Sequence, residues 1–194
     1  MNTINLHNYH VTVEELYRKT ADQCSEKIYL VDQDGNRKGP LMRKTFKSDN
    51  GQGSAYKVLL NENTSFNRNN HVPNVYHIEN YEGKFMILEE FCDGISLDKF
   101  LKKHKFDQDL LNDLFLQLCR GVNFLHTTFH KPVIHKGICP KKIIVNEKTN
   151  QLNLVDIGSD DTLLKSHQDP KMADVRLDVF GVGKVLEFMF DGKN

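Results

Sequence analysis

Apolar residues recur at different spacings in the two halves of the chain, and the change marks its main division. In the first half, Lys27-Ile28-Tyr29-Leu30-Val31 and Leu41-Met42-Arg43-Lys44-Thr45-Phe46 flank the turn-forming Asp34-Gly35-Asn36, which predicts two strands joined by a hairpin-like loop. A polar, glycine-rich stretch from Ser48 to Gly53 then leads into Ala55 to Phe66, where Val58, Leu59 and Phe66 fall at helix-compatible spacings. Two further strands are expected around Asn74 to Ile78 and Lys84 to Leu88. Ahead of them, Thr12-Val13-Glu14-Glu15 has the spacing of a capping box and predicts the start of a short peripheral helix.

From Ser96 onward the pattern is helical. Leu97, Phe100 and Leu101 predict a short helix, and Leu111, Leu114, Leu118, Val122 and Leu125 mark one face of a longer one. Ile143 to Val145 and Leu152 to Val155, around the turn-like Asn146 to Gln151, predict a second hairpin. The last segment carries Val179, Phe180, Val182, Val185, Leu186, Phe188, Met189 and Phe190, so this helix is apolar on nearly every side and is expected to be buried. A strand-rich half followed by a helical half is an α+β architecture, with an N-terminal lobe over 1–90 and a C-terminal lobe over 91–194.

Composition narrows the function classes. Lys plus Arg equal Asp plus Glu at 26 each, so neither nucleic acid nor an anionic membrane is an expected partner. No apolar run approaches the roughly 20 residues that span a bilayer. The N-terminus lacks a secretory signal, and Cys24, Cys92, Cys119 and Cys139 lack metal-ligand spacing, so reduced thiols in a cytoplasmic protein are expected, with no metal held by them.

Val133-Ile134-His135-Lys136-Gly137-Ile138-Cys139-Pro140-Lys141-Lys142-Ile143-Ile144-Val145, followed by Leu154-Val155-Asp156-Ile157-Gly158, resembles the catalytic loop and metal-binding motif of eukaryotic protein kinases. Other landmarks follow in the family's order. Leu60-Asn61-Glu62 resembles the helix whose glutamate pairs with a strand lysine, and Val72-Pro73-Asn74-Val75 resembles the turn after it. Met86 to Gly94 resembles the hinge between the lobes, with Glu89 at the gatekeeper position, and Asp178-Val179-Phe180-Gly181-Val182-Gly183 resembles the start of the central helix. The resemblance implies a bilobal protein-kinase-like fold that stops after that helix.

It also implies departures from the family's chemistry. The catalytic base position holds Gly137 and the metal-binding Asn position holds Lys142, leaving Asp156 as the one matching residue of the three. The three glycines of the phosphate-binding loop correspond to Ala21, Gln23 and Glu26, the last a like charge near phosphates. Either Arg43 or Lys44 matches the strand lysine expected to pair with Glu62. Lys142 beside Asp156 either substitutes for a metal cation or closes an empty site. Arg43, Lys44, Glu62, Glu89, Lys142 and Asp156 are thus the nucleotide-binding candidates, and Phe66, Ile78, His135, Ile157 and Asp178 match the family's structural spine.

These departures lead to the expectation of a pseudokinase: not an enzyme, with no catalytic residue, no magnesium, and either no cofactor or weakly bound ATP. Its expected role is regulation or scaffolding through protein binding, with a catalytic kinase domain as partner and self-association through the last helix as a further mode. The hinge segment Glu89 to Leu97 and the His-Lys-Gly loop are similar to the pseudokinase module of the amino-acid-starvation kinase of translation initiation factor 2. The alternatives are an atypical kinase or nucleotidyl transferase using Asp156 with Asp160 or Asp161, and a nucleotide-sensing switch.

Overall fold

A computed structural model describes residues 6–47, 52–62, 69–81, 83–104, 107–158 and 174–191. They divide into two compact units, one comprising Met1–Arg68 with Pro73–Phe91, the other Asn69–Val72 with Cys92–Asn194.

The first unit is built on a five-stranded antiparallel sheet. Its strands are β1 (His10–Lys19), β2 (Gln23–Val31), β3 (Arg37–Phe46), β4 (Val75–Tyr81) and β5 (Lys84–Glu90), in the order β1-β2-β3-β5-β4. One helix, α1 (Gln52–Asn61), packs against β4 and buries Tyr56 and Leu59. Ile28, Leu30, Leu41 and Leu88 form a core on one face of the sheet, with Leu6, Tyr9 and Tyr76 against it. On the other face Phe46 stands opposite Phe85, ring centroids 6.3 Å apart.

The capping-box expectation at Thr12 to Glu15 is overturned, because these residues lie inside β1, paired antiparallel with β2. The β-branched and aromatic residues Val11, Thr12, Val13 and Tyr17 suit a pleated surface, and pairing with β2 supplies the backbone bonds that a helix would otherwise make internally. The loop expected up to Gly53 is shorter, since α1 already includes Gln52.

In the second unit, β6 (Ile95–Ser96) leads into α2 (Leu97–Lys103), and α3 (Gln108–Thr127) begins at Asp107, whose carboxylate accepts the Leu110 amide at 2.9 Å. Leu111, Leu114, Leu118, Val122 and Leu125 are buried along α3 as their spacing predicts. β7 (Ile143–Val145) and β8 (Leu152–Leu154) form the second hairpin, with β6 paired to β7. Gln117 locks the hairpin to α3: its Oε1 accepts the Leu152 amide at 2.8 Å, and its Nε2 donates to the Asn150 carbonyl at 3.1 Å. Gly94, at φ 143°, lies so close to β7 that a Cβ there would fall 2.3 Å from the Val145 carbonyl oxygen.

The last helix, α4 (Val175–Asp191), buries a stripe through Leu177, Asp178, Val185 and Met189. Val179 and Phe180 are 62% and 58% exposed. Within this chain the buried face of α4 is thus that stripe, and the face bearing Val179 and Phe180 stands exposed.

Candidate functional site

Strand alternation sends the adjacent cations of β3 to opposite faces of the sheet. Arg43 stands directly opposite Glu26 on β2, which accepts from Nε at 2.9 Å and from Nη2 at 2.6 Å. Lys44 projects to the other face, where its Nζ lies 2.5 Å from Glu89 Oε1. The choice between the two is thereby decided: Lys44 is the buried cation, and the assignment of Arg43 to Glu62 is replaced by its pair with Glu26. Glu26 is correspondingly a structural counter-ion rather than a loose charge in a phosphate loop. Glu62 lies just beyond the C-terminal end of α1 and is half-buried.

The β1–β2 turn, at the position of the family's glycine-rich loop, is closed by a side chain. Thr20 Oγ1 accepts the amides of Asp22 and Gln23 at 3.3 and 3.0 Å. Two amides of the turn are thus already engaged within it.

The catalytic-loop-like segment of the second unit is held by Asp178 of α4. The Asp178 carboxylate accepts the backbone amides of His135 at 2.8 Å and Lys136 at 2.9 Å, and its Oδ2 lies 2.8 Å from His126 Nε2. Close approach of the loop to α4 requires Gly181, where a Cβ would meet Ile138 Cβ at 3.0 Å and its carbonyl oxygen at 3.1 Å. His135 is fully buried. Its Nε2 lies 2.9 Å from the Val155 carbonyl, which can only accept, so Nε2 carries the proton and Nδ1 accepts the Gly137 amide at 3.3 Å. Both ring nitrogens are satisfied in this neutral tautomer. Burial away from water, reinforced by the Lys142 charge, lowers the His135 pKa to about 4 against the opposing pull of Asp178.

Two backbone bonds strap residues 155–158 to the same loop. Val155 donates to the Lys142 carbonyl and Gly158 to the His135 carbonyl, both at 2.9 Å. Asp156 lies between these bonds in a left-handed conformation, φ 62°, and Lys136 has φ 68°. Non-glycine residues hold such angles only where their surroundings over-determine them, and they concentrate at functional positions. Lys142 is 5% exposed and ends a 3₁₀ turn over Pro140–Lys142.

The structure therefore gathers His135, Lys142, Asp156 and Asp178 in one loop system, with Ile157 buried beside them. Ile78 is half-buried on β4 of the first unit, and Phe66, Asp160 and Asp161 lie outside the described residues. Sequence reasoning missed His126 and Thr20. His126 lies 52 positions from Asp178 and carried no local signal.

Magnesium does not fit the donor set of this loop. Of the two positions that hold it in the family, Asp156 offers a carboxylate, but Lys142 brings a donor-only ammonium that repels a cation.

The protein kinase domain family matches residues 27–190. This chain belongs to that family. It is 33% identical over 81 residues to the serine/threonine-protein kinase Nek3 of Mus musculus, covering 40% of this chain and 15% of that protein. It is 32% identical over 145 residues to a probable serine/threonine-protein kinase of Dictyostelium discoideum, covering 70% of this chain and 14% of the relative. With the MAP kinase kinase kinase wis4 of Schizosaccharomyces pombe it shares 31% identity over 120 residues, 60% of this chain and 8% of wis4. The chain thus spans a small part of these relatives.

These findings overturn the expectation that the chain is not an enzyme. The family is that of protein kinases and the relatives are named as kinases, so membership points to an enzyme. The α+β, protein-kinase-like fold expected from the motifs agrees with the family match. No helix among the described residues is long and apolar enough to cross a membrane.

Proposed function

We propose that this protein-kinase-family domain binds ATP with the Lys142 ammonium in place of a divalent metal, and that it regulates a protein partner of the catalytic-kinase class. The observation that carries the nucleotide half is the burial of Lys142 within the loop that also holds Asp156. A phosphate oxygen is an acceptor of the right charge for an ammonium held in that loop. The regulatory half rests on the altered chemistry of the loop. With glycine at position 137, any phosphoryl transfer lacks the positioned carboxylate base, whose contribution is roughly 10² to 10⁴ in rate. Such transfer is expected to be slow, which favours a role in which nucleotide occupancy is read by a partner.

The test is the thermal shift produced by ATP in magnesium and in a chelating buffer. Equal shifts in both, lost in Lys142→Ala, are expected. A shift that required magnesium, or that survived Lys142→Ala, would sink the proposal.

A further inference from the structure

β1 is an edge strand: it pairs with β2 alone, and among the described residues no strand lies beyond it. Every one of its residues is exposed, and it carries Val11, Val13, Leu16 and Tyr17, four of the seven large apolar side chains that stand exposed among the described residues. An open strand edge presents backbone donors and acceptors that another strand can complete, and proteins usually blunt it with bulges, lysines or proline. In β1 those devices lie in the second half. Its register shifts fall between Val13 and Glu15 and between Leu16 and Arg18, and its arginine and lysine are Arg18 and Lys19. His10 to Val13 run in unbroken register with Val31 to Ile28 and include neither lysine nor proline.

This regular stretch is nearly its own complement. Read outward from Thr12, His10-Val11-Thr12-Val13-Glu14 has valine on both sides and then histidine against glutamate. An antiparallel copy centred on Thr12 therefore sets Thr12 opposite Thr12, Val11 opposite Val13 and His10 opposite Glu14. Each is a favourable cross-strand pair: hydroxyl with hydroxyl, two β-branched side chains, and imidazole with carboxylate. The faces agree as well. Val11 and Val13 stand directly opposite Leu30 and Ile28, so they lie on the face of the sheet that holds its apolar core. In such a pairing the valines of both copies extend that apolar face across the junction, while His10, Thr12 and Glu14 stay together on the other. Lys27 Nζ holds Glu14 Oε2 at 2.7 Å, which keeps the carboxylate at this edge.

We propose that β1 is a homodimerisation edge: two copies of this chain pair their β1 strands antiparallel about Thr12, joining two five-stranded sheets into one of ten strands. A two-fold contact uses the same patch on both copies, so it closes at the dimer. The pairing is independent of nucleotide.

The experiment is sedimentation of the whole chain over a concentration series, with circular dichroism and a cooperative melt to show that each variant is folded. Wild type is expected to dimerise. Val11→Lys and Val13→Lys are each expected to weaken the dimer about tenfold or more, because an edge lysine acts twice across the two-fold. Their melting should change little at monomeric concentrations, since both positions are exposed in the single chain. Oxidative cross-linking reads the register. Thr12→Cys brings two thiols to facing positions and is expected to give a disulfide-linked dimer well above the background set by the four native cysteines of wild type. Leu16→Cys leaves its thiols roughly 26 Å apart along the paired strands and is expected to stay at that background.

A wild type still monomeric at about 0.1 mM would overturn the proposal. So would a dimer that both lysine variants leave intact, or one that Phe180→Asp on α4 dissolves while they do not. Cross-linking at Leu16→Cys as efficient as at Thr12→Cys would overturn the pairing about Thr12.

Discussion

The carboxylate of Asp178 accepts the backbone amide of His135 at 2.8 Å, joining α4 to a loop 43 positions earlier in the chain. It also accepts from Lys136 and meets His126, so one side chain fixes the path of the loop from which Lys142 follows. Asp178→Ala removes the acceptor from one buried and one part-buried amide, which is expected to cost about 3 to 5 kcal/mol. Asp178→Asn keeps one acceptor oxygen and is expected to cost less. Urea denaturation measures both, and an alanine variant within about 0.5 kcal/mol of wild type would show that the loop finds its path without Asp178.

His135 makes stability depend on acidity in a definite window. Its pKa falls to about 4 in the folded protein against an ordinary value near 6.5, so between these pH values the unfolded chain holds a proton that the native protein does not. Stability from this group is complete above about pH 6.5. It declines as pH falls towards 4 and changes no further below that. The decline amounts to about 3 kcal/mol at most, from a shift of this size at 1.36 kcal/mol per unit. His135→Phe should flatten the unfolding free energy between pH 4 and 6.5 relative to wild type, whatever it does to the absolute value. An unchanged slope would place the cause of acid sensitivity elsewhere.

What the sequence revealed and what it hid follow from the range of the interactions involved. The stripe of α3 and the strands of the first sheet are written in local periodicity, because burial selects the same residue types at each turn or alternate position. The family landmarks around His135, Asp156 and Asp178 were legible for a related reason, being contiguous runs. Thr12 to Glu15 misled because a four-residue spacing suits a capping box, whereas the fate of β1 was decided by β2, ten or more positions away. The partners of Arg43 and Lys44 were hidden similarly. Glu26 and Glu89 lie on different neighbouring strands, and only the register of the sheet shows which carboxylate faces which cation.

The two faces of α4 give the last prediction. Along the helix Val185 and Met189 are fully buried, whereas Val179 and Phe180 lie in solvent, although all four are equally apolar in the sequence. An aspartate at a buried position forgoes roughly 1.5–3 kcal/mol of side-chain burial and also brings an unpaired charge into an apolar setting. Val185→Asp and Met189→Asp should therefore each lose more than about 3 kcal/mol or fail to fold. Val179→Asp and Phe180→Asp replace residues that make few contacts, and in the isolated chain should stay within about 0.5 kcal/mol of wild type. Denaturant midpoints of the four variants decide the matter. A large loss in Phe180→Asp, accompanied by a change in sedimentation, would show that the exposed face is covered by another molecule in solution. Equal tolerance at all four positions would contradict the packing of α4 itself.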